Sequence, residues 1–544
     1  METIAYKVEG QIVDIIGNKV FGGQVLIKDG KIDSIIEKEV SSSHYIIPGF
    51  IDSHIHIESS MLVPSEFARV AVTHGTVATV SDPHEIANVL GVKGIEFMID
   101  NGREVPFKFY FGAPSCVPAT DFESSGAKIT PDILDQLLQR DDIKYLSEMM
   151  NYPGVIHKDP IVMEKIAIAK KYNKPIDGHA PGLIGEEAKK YIEAGITTDH
   201  ECYTIEEALD KIKYGMKVQI REGSAARNFD ALTPLLYDND KDILFCSDDK
   251  HPDELIHGHI NLLVKKAVSL GHDPIKILRI ASLNPVEHYG LDVGLLQKGD
   301  DADFIIVEDL KEFNVLQTYV KGELVAEGGK SLIQSVDIKP LNVFIDNAIT
   351  EKDLKIKAES DKLRIIKVIE GELVTDSFVT TPKIVNNEAV TDIDRDLLKM
   401  VVVNRYTNQP PAVAFINNMG FRRGAVALSI AHDSHNIIAT GCSDEEITRA
   451  INLVIKNKGG IAIVDHNNED TLPLPVAGLM AVDTPWNVGH KYARLNQEAI
   501  NLGTHLKAPF MTLSFMSLLV IPTLKLSDKG LFDGDEFKFV SLFE

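Results

Sequence analysis

Residues 45–285 alternate short apolar runs with amphipathic stretches, and one polar cluster follows nearly every run. The strand-like runs are Ile46–Ile51, Thr76–Val80, Phe107–Phe111, Ile143–Leu146, Pro175–Asp177, Gly195–Thr198, Lys217–Ile220 and Ile243–Cys246. Helix-like segments such as Pro131–Leu138 and Pro160–Lys171 lie between them. Eight strand–helix repeats in about 240 residues predict an α/β fold, a closed (β/α)8 TIM-like barrel. Closure gathers the C-terminal ends of all the strands around one mouth, so residues distant in the chain become neighbours.

The run ends carry metal-ligand chemistry. The first leads through Asp52 and Ser53 to His54-Ile55-His56, and residues two apart on a strand project to the same face. Two neutral imidazoles are thus aimed at one point, which suits a divalent cation. Later runs end in Ser81-Asp82-Pro83-His84-Glu85, Ser147-Glu148, Gly178-His179, Asp199-His200-Glu201 and Ser247-Asp248-Asp249. Each residue alone has a structural reading, a capped core histidine or a solvated loop carboxylate. Together they predict a metal set of His54, His56, Glu148, His179, His200 and Asp248. That set is too large for one tetrahedral ion and right for two ions sharing a bridge. Glu148 would give one oxygen to each ion, with a hydroxide opposite. The residual positive charge draws the pKa of bound water toward about 7. Asp249 competes with Asp248; strand alternation admits one of them, and Asp248 is nearer the strand.

The flanks differ in texture. Residues 1–44 alternate apolar and polar between turns at Gly17-Asn18, Gly22-Gly23 and Asp29-Gly30, and a similar pattern returns at Gly290–Gly329. We expect residues 1–44 and 286–340 to form one composite β-sandwich domain around the barrel of residues 45–285. Residues 345–544 read as a separate α+β domain whose clearest helix is Asp444–Lys458. In it Ala431-His432-Asp433-Ser434-His435-Asn436 imitates a metal motif, but the surrounding pattern is strand-like. His432 and His435 are read as belonging either to the mouth of the active site or to a turn of capped histidines.

Composition excludes some partners. A net charge of -24 repels nucleic acid and anionic membrane surfaces. The four cysteines form no C-x-x-C pair, so neither a disulfide framework nor a thiolate zinc site is expected, and a reducing cytoplasm is the simpler setting. The N-terminus lacks a signal-peptide core, and the greasiest stretch, Phe510 to Ile521, is short of the roughly 20 residues that span a bilayer.

Several stretches resemble the amidohydrolase superfamily and, within it, the adenine deaminase family. They are Pro48-Gly49-Phe50-Ile51-Asp52-Ser53-His54-Ile55-His56, Ser81-Asp82-Pro83-His84-Glu85-Ile86-Ala87-Asn88, Ser147-Glu148-Met149-Met150-Asn151-Tyr152-Pro153-Gly154-Val155, Gly178-His179-Ala180-Pro181-Gly182, Asp199-His200-Glu201, Glu222-Gly223-Ser224-Ala225-Ala226-Arg227-Asn228 and Ser247-Asp248-Asp249-Lys250-His251-Pro252. The first marks only the superfamily; the D-P-H-E and E-M-M-N-Y-P-G-V runs are narrower. Many superfamily members carry a carboxylated lysine where this chain has Glu148, which argues against a dihydroorotase or hydantoinase.

The resemblance implies hydrolytic deamination of adenine to hypoxanthine and ammonia, with attack at C6. It implies Asp248 as the proton shuttle, and Glu85, or alternatively His84, as the acid that serves N1. Ser224, Arg227 and Asn228 would line the purine pocket. Of the cations that nitrogen and oxygen ligands suit, manganese is favoured, with iron or zinc as alternatives. A role in purine salvage or adenine catabolism and a homo-oligomer, a dimer, also follow from the resemblance. Other readings are hydrolysis of another cyclic amide or amidine, and a non-catalytic metal-binding scaffold.

Overall fold

The structure, a computed structural model, describes residues 5–224 and 226–544. The first residues of the N-terminal meander and one position of the 222–228 motif lie outside the described residues. The chain divides into two units. One holds the residues up to His84, Glu96–Cys116 and Ile129–Ile338; the other holds Glu85–Ile95, Val117–Lys128 and Lys339–Glu544. The two short excursions at 85–95 and 117–128 have no counterpart in the domain boundaries expected from sequence.

The first unit begins with an antiparallel meander, β1 (Ala5–Asp14), β2 (Lys19–Lys28) and β3 (Lys31–Glu37), and β4 (Tyr45–Pro48) pairs parallel with β1. The apolar run read as one strand is in fact two. It breaks at Gly49, where a Cβ would come within 2.4 Å of the Val77 side chain, and β5 (Phe50–Ile55) continues in a different sheet.

From β5 the chain runs through β6 (Thr76–Ser81), β7 (Lys108–Ala113), β8 (Ile143–Met149), β9 (Ile176–Gly178), β10 (Thr198–Asp199), β11 (Lys217–Arg221) and β12 (Ile243–Cys246). Neighbours pair parallel from β5 to β9 and from β10 to β12. Thr197 N donates to Ile176 O (2.8 Å), joining the two sets, and Asp248 N donates to His54 O (2.9 Å), closing the barrel. Every residue of β5 and β6 is buried, which is why these strands read as continuous apolar runs rather than alternating ones. Phe50, Val218, Ile220, Ile243 and Phe245 belong to one core cluster beneath.

Helices start where the sequence caps them. Thr130 accepts from Ile133 N ahead of Pro131–Leu138, and Asp159 accepts from Ile161 N and Val162 N ahead of Pro160–Lys171. After the barrel, β13 (Phe304–Val307), β14 (Val315–Val320), β15 (Glu323–Glu327) and β16 (Lys330–Ser331) return to the first sheet. Its order is β16-β15-β14-β13-β4-β1-β2-β3, so both flanks share it.

In the second unit an eight-stranded sheet runs in the order Thr375–Thr380, Leu363–Val368, Ala412–Asn417, Leu397–Val403, Ile437–Gly441, Ala425–Leu428, Gly460–Asp465, Asn468–Pro473. The helix Asp444–Lys456, capped by Ser443, buries Ile447, Ile451, Val454 and Ile455 with Val401, Ala427, Ala439 and Ala462. It stops short of the expected Lys458, which has already turned to φ +58. Among the described residues, no helix is long and apolar enough to cross a membrane.

Candidate metal centre

His54 and His56 end β5 with their ring centroids 4.9 Å apart, edge to face, and the His200 ring stacks on His54 at 4.2 Å. Glu148, at the end of β8, stands between two histidine pairs. Its Oε1 lies 3.4 Å from His56 Nε2; its Oε2 accepts from His179 Nδ1 at 2.9 Å and lies 3.2 Å from His200 Nε2. Asp248 Oδ1 lies 3.3 Å from His56 Nε2 and 3.6 Å from His54 Nε2. All six residues read from the sequence as ligands therefore share one cluster, in which His179 is partly exposed and the other five are buried.

The donor set fits a cation. Ligands held about 2.1 Å from one tetrahedral ion stand about 3.4 Å from each other, close to the separations seen here. His54 is fully buried, yet neither ring nitrogen has a hydrogen-bond partner, a costly arrangement unless a cation takes the lone pair. Ligand atoms gather within 4.8 Å as His54–His56–Asp248, as His54–Glu148–His200 and as His56–Asp82–His84–Glu148.

The electrostatics agree. Burial raises the Glu148 and Asp248 carboxyls, but His179 and the other imidazoles at Glu148, and Arg221 with the imidazoles at Asp248, hold both well below the usual range. Burial lowers the imidazoles, yet the carboxylates overcome it at His56, at His200 and at His179, which is pushed up to about 9. His54 goes the other way, lowered by burial and by His200. The cluster is short of positive charge.

Behind these residues, two buried networks fix the strand ends. Asp52 accepts from Ser247 Oγ, from Ser247 N (3.1 Å) and from His54 N (3.3 Å), and it lies 2.7 Å from His259 Nε2. His259 Nδ1 lies 2.8 Å from Thr76 Oγ1, so this histidine ties β5 to β6. Under the His179 loop, Lys211 Nζ donates to Ala180 O (2.7 Å), Asp199 Oδ2 (2.8 Å) and Glu207 Oε1 (2.8 Å). Asp199 and Glu207 in turn accept from Ala180 N (2.8 Å) and Gly182 N (2.9 Å).

Strand alternation is not what chooses Asp248 over Asp249. Asp248 lies beyond β12 with φ +54, a left-handed turn that Asp tolerates, while Asp249 accepts from Ser59 Oγ at 2.5 Å.

Comparison with known proteins gives the family. An amidohydrolase family model matches residues 45–325, and a model described as the adenine deaminase C-terminal domain matches residues 372–538. A curated adenine deaminase from Methanosarcina mazei is 53% identical over 99% of both chains. One from Salinibacter ruber is 52% identical over 99% of both, and one from Sulfurovum 53% identical over 98% of this chain and 99% of its own. The chain belongs to the adenine deaminase family.

Within the adenine deaminase framework, the other residues read from the sequence have mixed fates. His84 begins the helix His84–Leu90; Asp82 Oδ1 accepts from its backbone N–H at 3.0 Å, and its Nδ1 lies 3.5 Å from Glu148 Oε1. Glu85 belongs to the second unit, where His432 Nδ1 donates to its Oε1 at 2.9 Å and His435 pairs with Oε2. Burial raises the Glu85 carboxyl, but these imidazoles hold it well below the usual range. That direction runs against the expectation that Glu85 serves N1 as a protonated acid. His432 and His435 are both buried and both face it.

The expected purine pocket also changes. Asn228 spends its amide on backbone, accepting from Arg221 N (2.8 Å) and donating to His200 O and Cys202 O (3.1 Å each). Ser224 Oγ and the half-exposed Arg227 guanidinium are both engaged on Glu254.

Asp82 and Glu201 stand in the run-end clusters of the sequence without an assigned role, and Arg221 is not singled out there at all. Arg221 closes β11, where barrel logic places functional groups. The reading looked beyond it, to the loop that follows.

Proposed function

We propose that this chain hydrolyses adenine to hypoxanthine and ammonia, with two divalent cations held by His54, His56, Glu148, His179, His200 and Asp248. The observation that carries the reading is Glu148, one oxygen toward His56 and the other toward His179 and His200, in a chain 53% identical to an adenine deaminase along its whole length. When bound, the cations supply Lewis acidity and make water acidic enough to attack near neutral pH. Nitrogen and oxygen donors without thiolate suit manganese, iron or zinc, and we favour manganese.

Replacing the amino group at C6 by oxygen forms a C–O bond and breaks a C–N bond. Both protons of water are redistributed: one replaces the proton delivered to N1 as aromaticity is lost, and the other gives the departing nitrogen its third hydrogen. Asp248, whose Oδ1 faces His54 and His56, carries the proton from water to the amino group. His84, 3.5 Å from Glu148, is the donor to N1. The same reading places the chain in cytoplasmic purine salvage as a homodimer.

Ammonia release with hypoxanthine formation tests it, using protein loaded with manganese and adenine, adenosine, hydantoin or dihydroorotate as substrate. Turnover of adenine alone is expected, and inert adenine with both ions bound overturns the reading. Asp248→Asn is expected to lose about a thousandfold or more in kcat with its circular dichroism unchanged.

A further inference from the structure

Arg221 is fully buried and joins the two halves of the metal centre. Its end-on fork holds Glu201, Nη1 to Oε1 at 2.6 Å and Nη2 to Oε2 at 3.0 Å. The second hydrogen of Nη1 goes to Asp248 Oδ2, and that of Nη2 to Tyr203 Oη at 3.3 Å. All four terminal N–H groups are thereby used. Glu201 Oε1 in turn stands 3.6 Å from His179 Nδ1 and 3.4 Å from His200 Nε2. One guanidinium therefore ties the carboxylate beside His54 and His56 to the carboxylate beside His179 and His200.

The backbone of Asp248 does not need Arg221. It is fixed to β5 by the bonds from Asp248 N to His54 O (2.9 Å) and from His56 N to Asp248 O (3.3 Å). What these bonds leave free is rotation of the carboxylate. Arg221 occupies Oδ2, so only Oδ1 is presented to His54 and His56.

We infer that Arg221 is a positioning residue for adenine hydrolysis, locking Asp248 in a one-oxygen pose and setting its register against Glu201. This rests on the function proposed above, in which Asp248 moves the proton. Lysine at this position keeps the charge but offers donors from a single point, and cannot fork Glu201 while reaching Asp248.

The experiment compares wild type, Arg221→Lys and the double variant Arg221→Met/Glu201→Gln, each loaded with manganese. Metal content, steady-state kinetics with adenine and the electron paramagnetic resonance spectrum of the manganese pair are read. Arg221→Lys is expected to fall about a hundredfold in kcat with KM within about threefold of wild type, and to show altered coupling between the ions. The double variant, which removes a buried cation together with a buried anion, is expected to fold and bind metal yet remain about a hundredfold slow. Wild-type kcat and spectrum in Arg221→Lys overturn the inference, as does recovery of kcat in the double variant, which would make Arg221 a charge neutraliser only. If wild type itself leaves adenine untouched, the functional reading fails, and the spectra alone still decide the role of Arg221.

Discussion

The two units bury their cations in opposite ways. In the barrel unit Arg221 and Lys211 are each surrounded by carboxylates, and against the cost of burial those partners raise both well above their ordinary values. In the C-terminal unit Arg405 donates to Ala477 O (2.8 Å), His435 O (3.4 Å), Asn342 Oδ1 (2.7 Å) and Val343 O (3.0 Å), and lies 4.4 Å over the Phe344 ring. Lys525 donates to Leu373 O (2.7 Å) and Phe515 O (3.1 Å). With only neutral acceptors, burial brings Arg405 down to about 10 and Lys525 down to about 7. The contrast separates two uses of a buried charge. In the barrel unit it aligns buried carboxylates around the strand ends; in the C-terminal unit it satisfies neutral acceptors, mostly backbone carbonyls, at the expense of stability.

The contrast breaks most visibly at Lys211. Lys211→Met leaves Asp199 and Glu207 buried without their cation and frees Ala180 O, so a loss of about 3–5 kcal/mol is expected in thermal unfolding. The same network holds the His179 loop, so metal affinity should fall about 10–100-fold in a titration followed by calorimetry. Unchanged metal affinity in a destabilised variant would show that the network supports the fold and not the ligand.

Lys211 also shows where sequence reading stops. On the helix Ile205–Lys213 it forms an i,i+4 pair with Glu207, the usual signature of a solvated face, and only the structure shows it 1% exposed. Arg221 was hidden in the same way, since a charge at a strand end reads as the edge of a loop. The clustering of His54, His56, Glu148, His179, His200 and Asp248 was legible because strand period and barrel closure are local and repetitive, and each falls within three residues of its strand. The partnership of Glu85 with His432 and His435 was not, because nothing local connects residues separated by about 350 positions. The strand break at Gly49 failed for a third reason. Two strands of different sheets, joined by one glycine, carry an unbroken apolar pattern.

The C-terminal side of the comparison predicts a gain. Lys525 titrates near 7 when folded and near 10.4 when unfolded, so between these values the unfolded chain binds more protons. Wild-type stability should therefore rise with pH across that window, and below it the full cost of the buried charge is present. Lys525→Met removes that cost and leaves two carbonyls unsatisfied. A net gain of about 2 kcal/mol is expected below pH 7, shrinking toward pH 10, in thermal melts. A gain independent of pH would mean that Lys525 binds its proton equally well in the folded and unfolded chain and that packing alone changed.

The smallest expected effect sharpens the barrel side. Asp248 and Asp249 are adjacent, but only Asp248 combines a carboxylate facing imidazoles with a second oxygen held by Arg221. Asp249 spends Oδ1 on the Ser59 hydroxyl, and its carbonyl accepts from Ser224 N at 2.7 Å, so its task is to hold the turn after β5 against the loop after β11. Asparagine keeps both acceptors. Asp249→Asn should thus change kcat for adenine by no more than about threefold, against the thousandfold loss at Asp248. The pair is informative because each variant removes the same single negative charge. If the cluster needed only negative charge at the end of β12, the two would lose activity equally. A large difference means that the pose of one carboxylate, set by a left-handed backbone and an arginine, decides the chemistry.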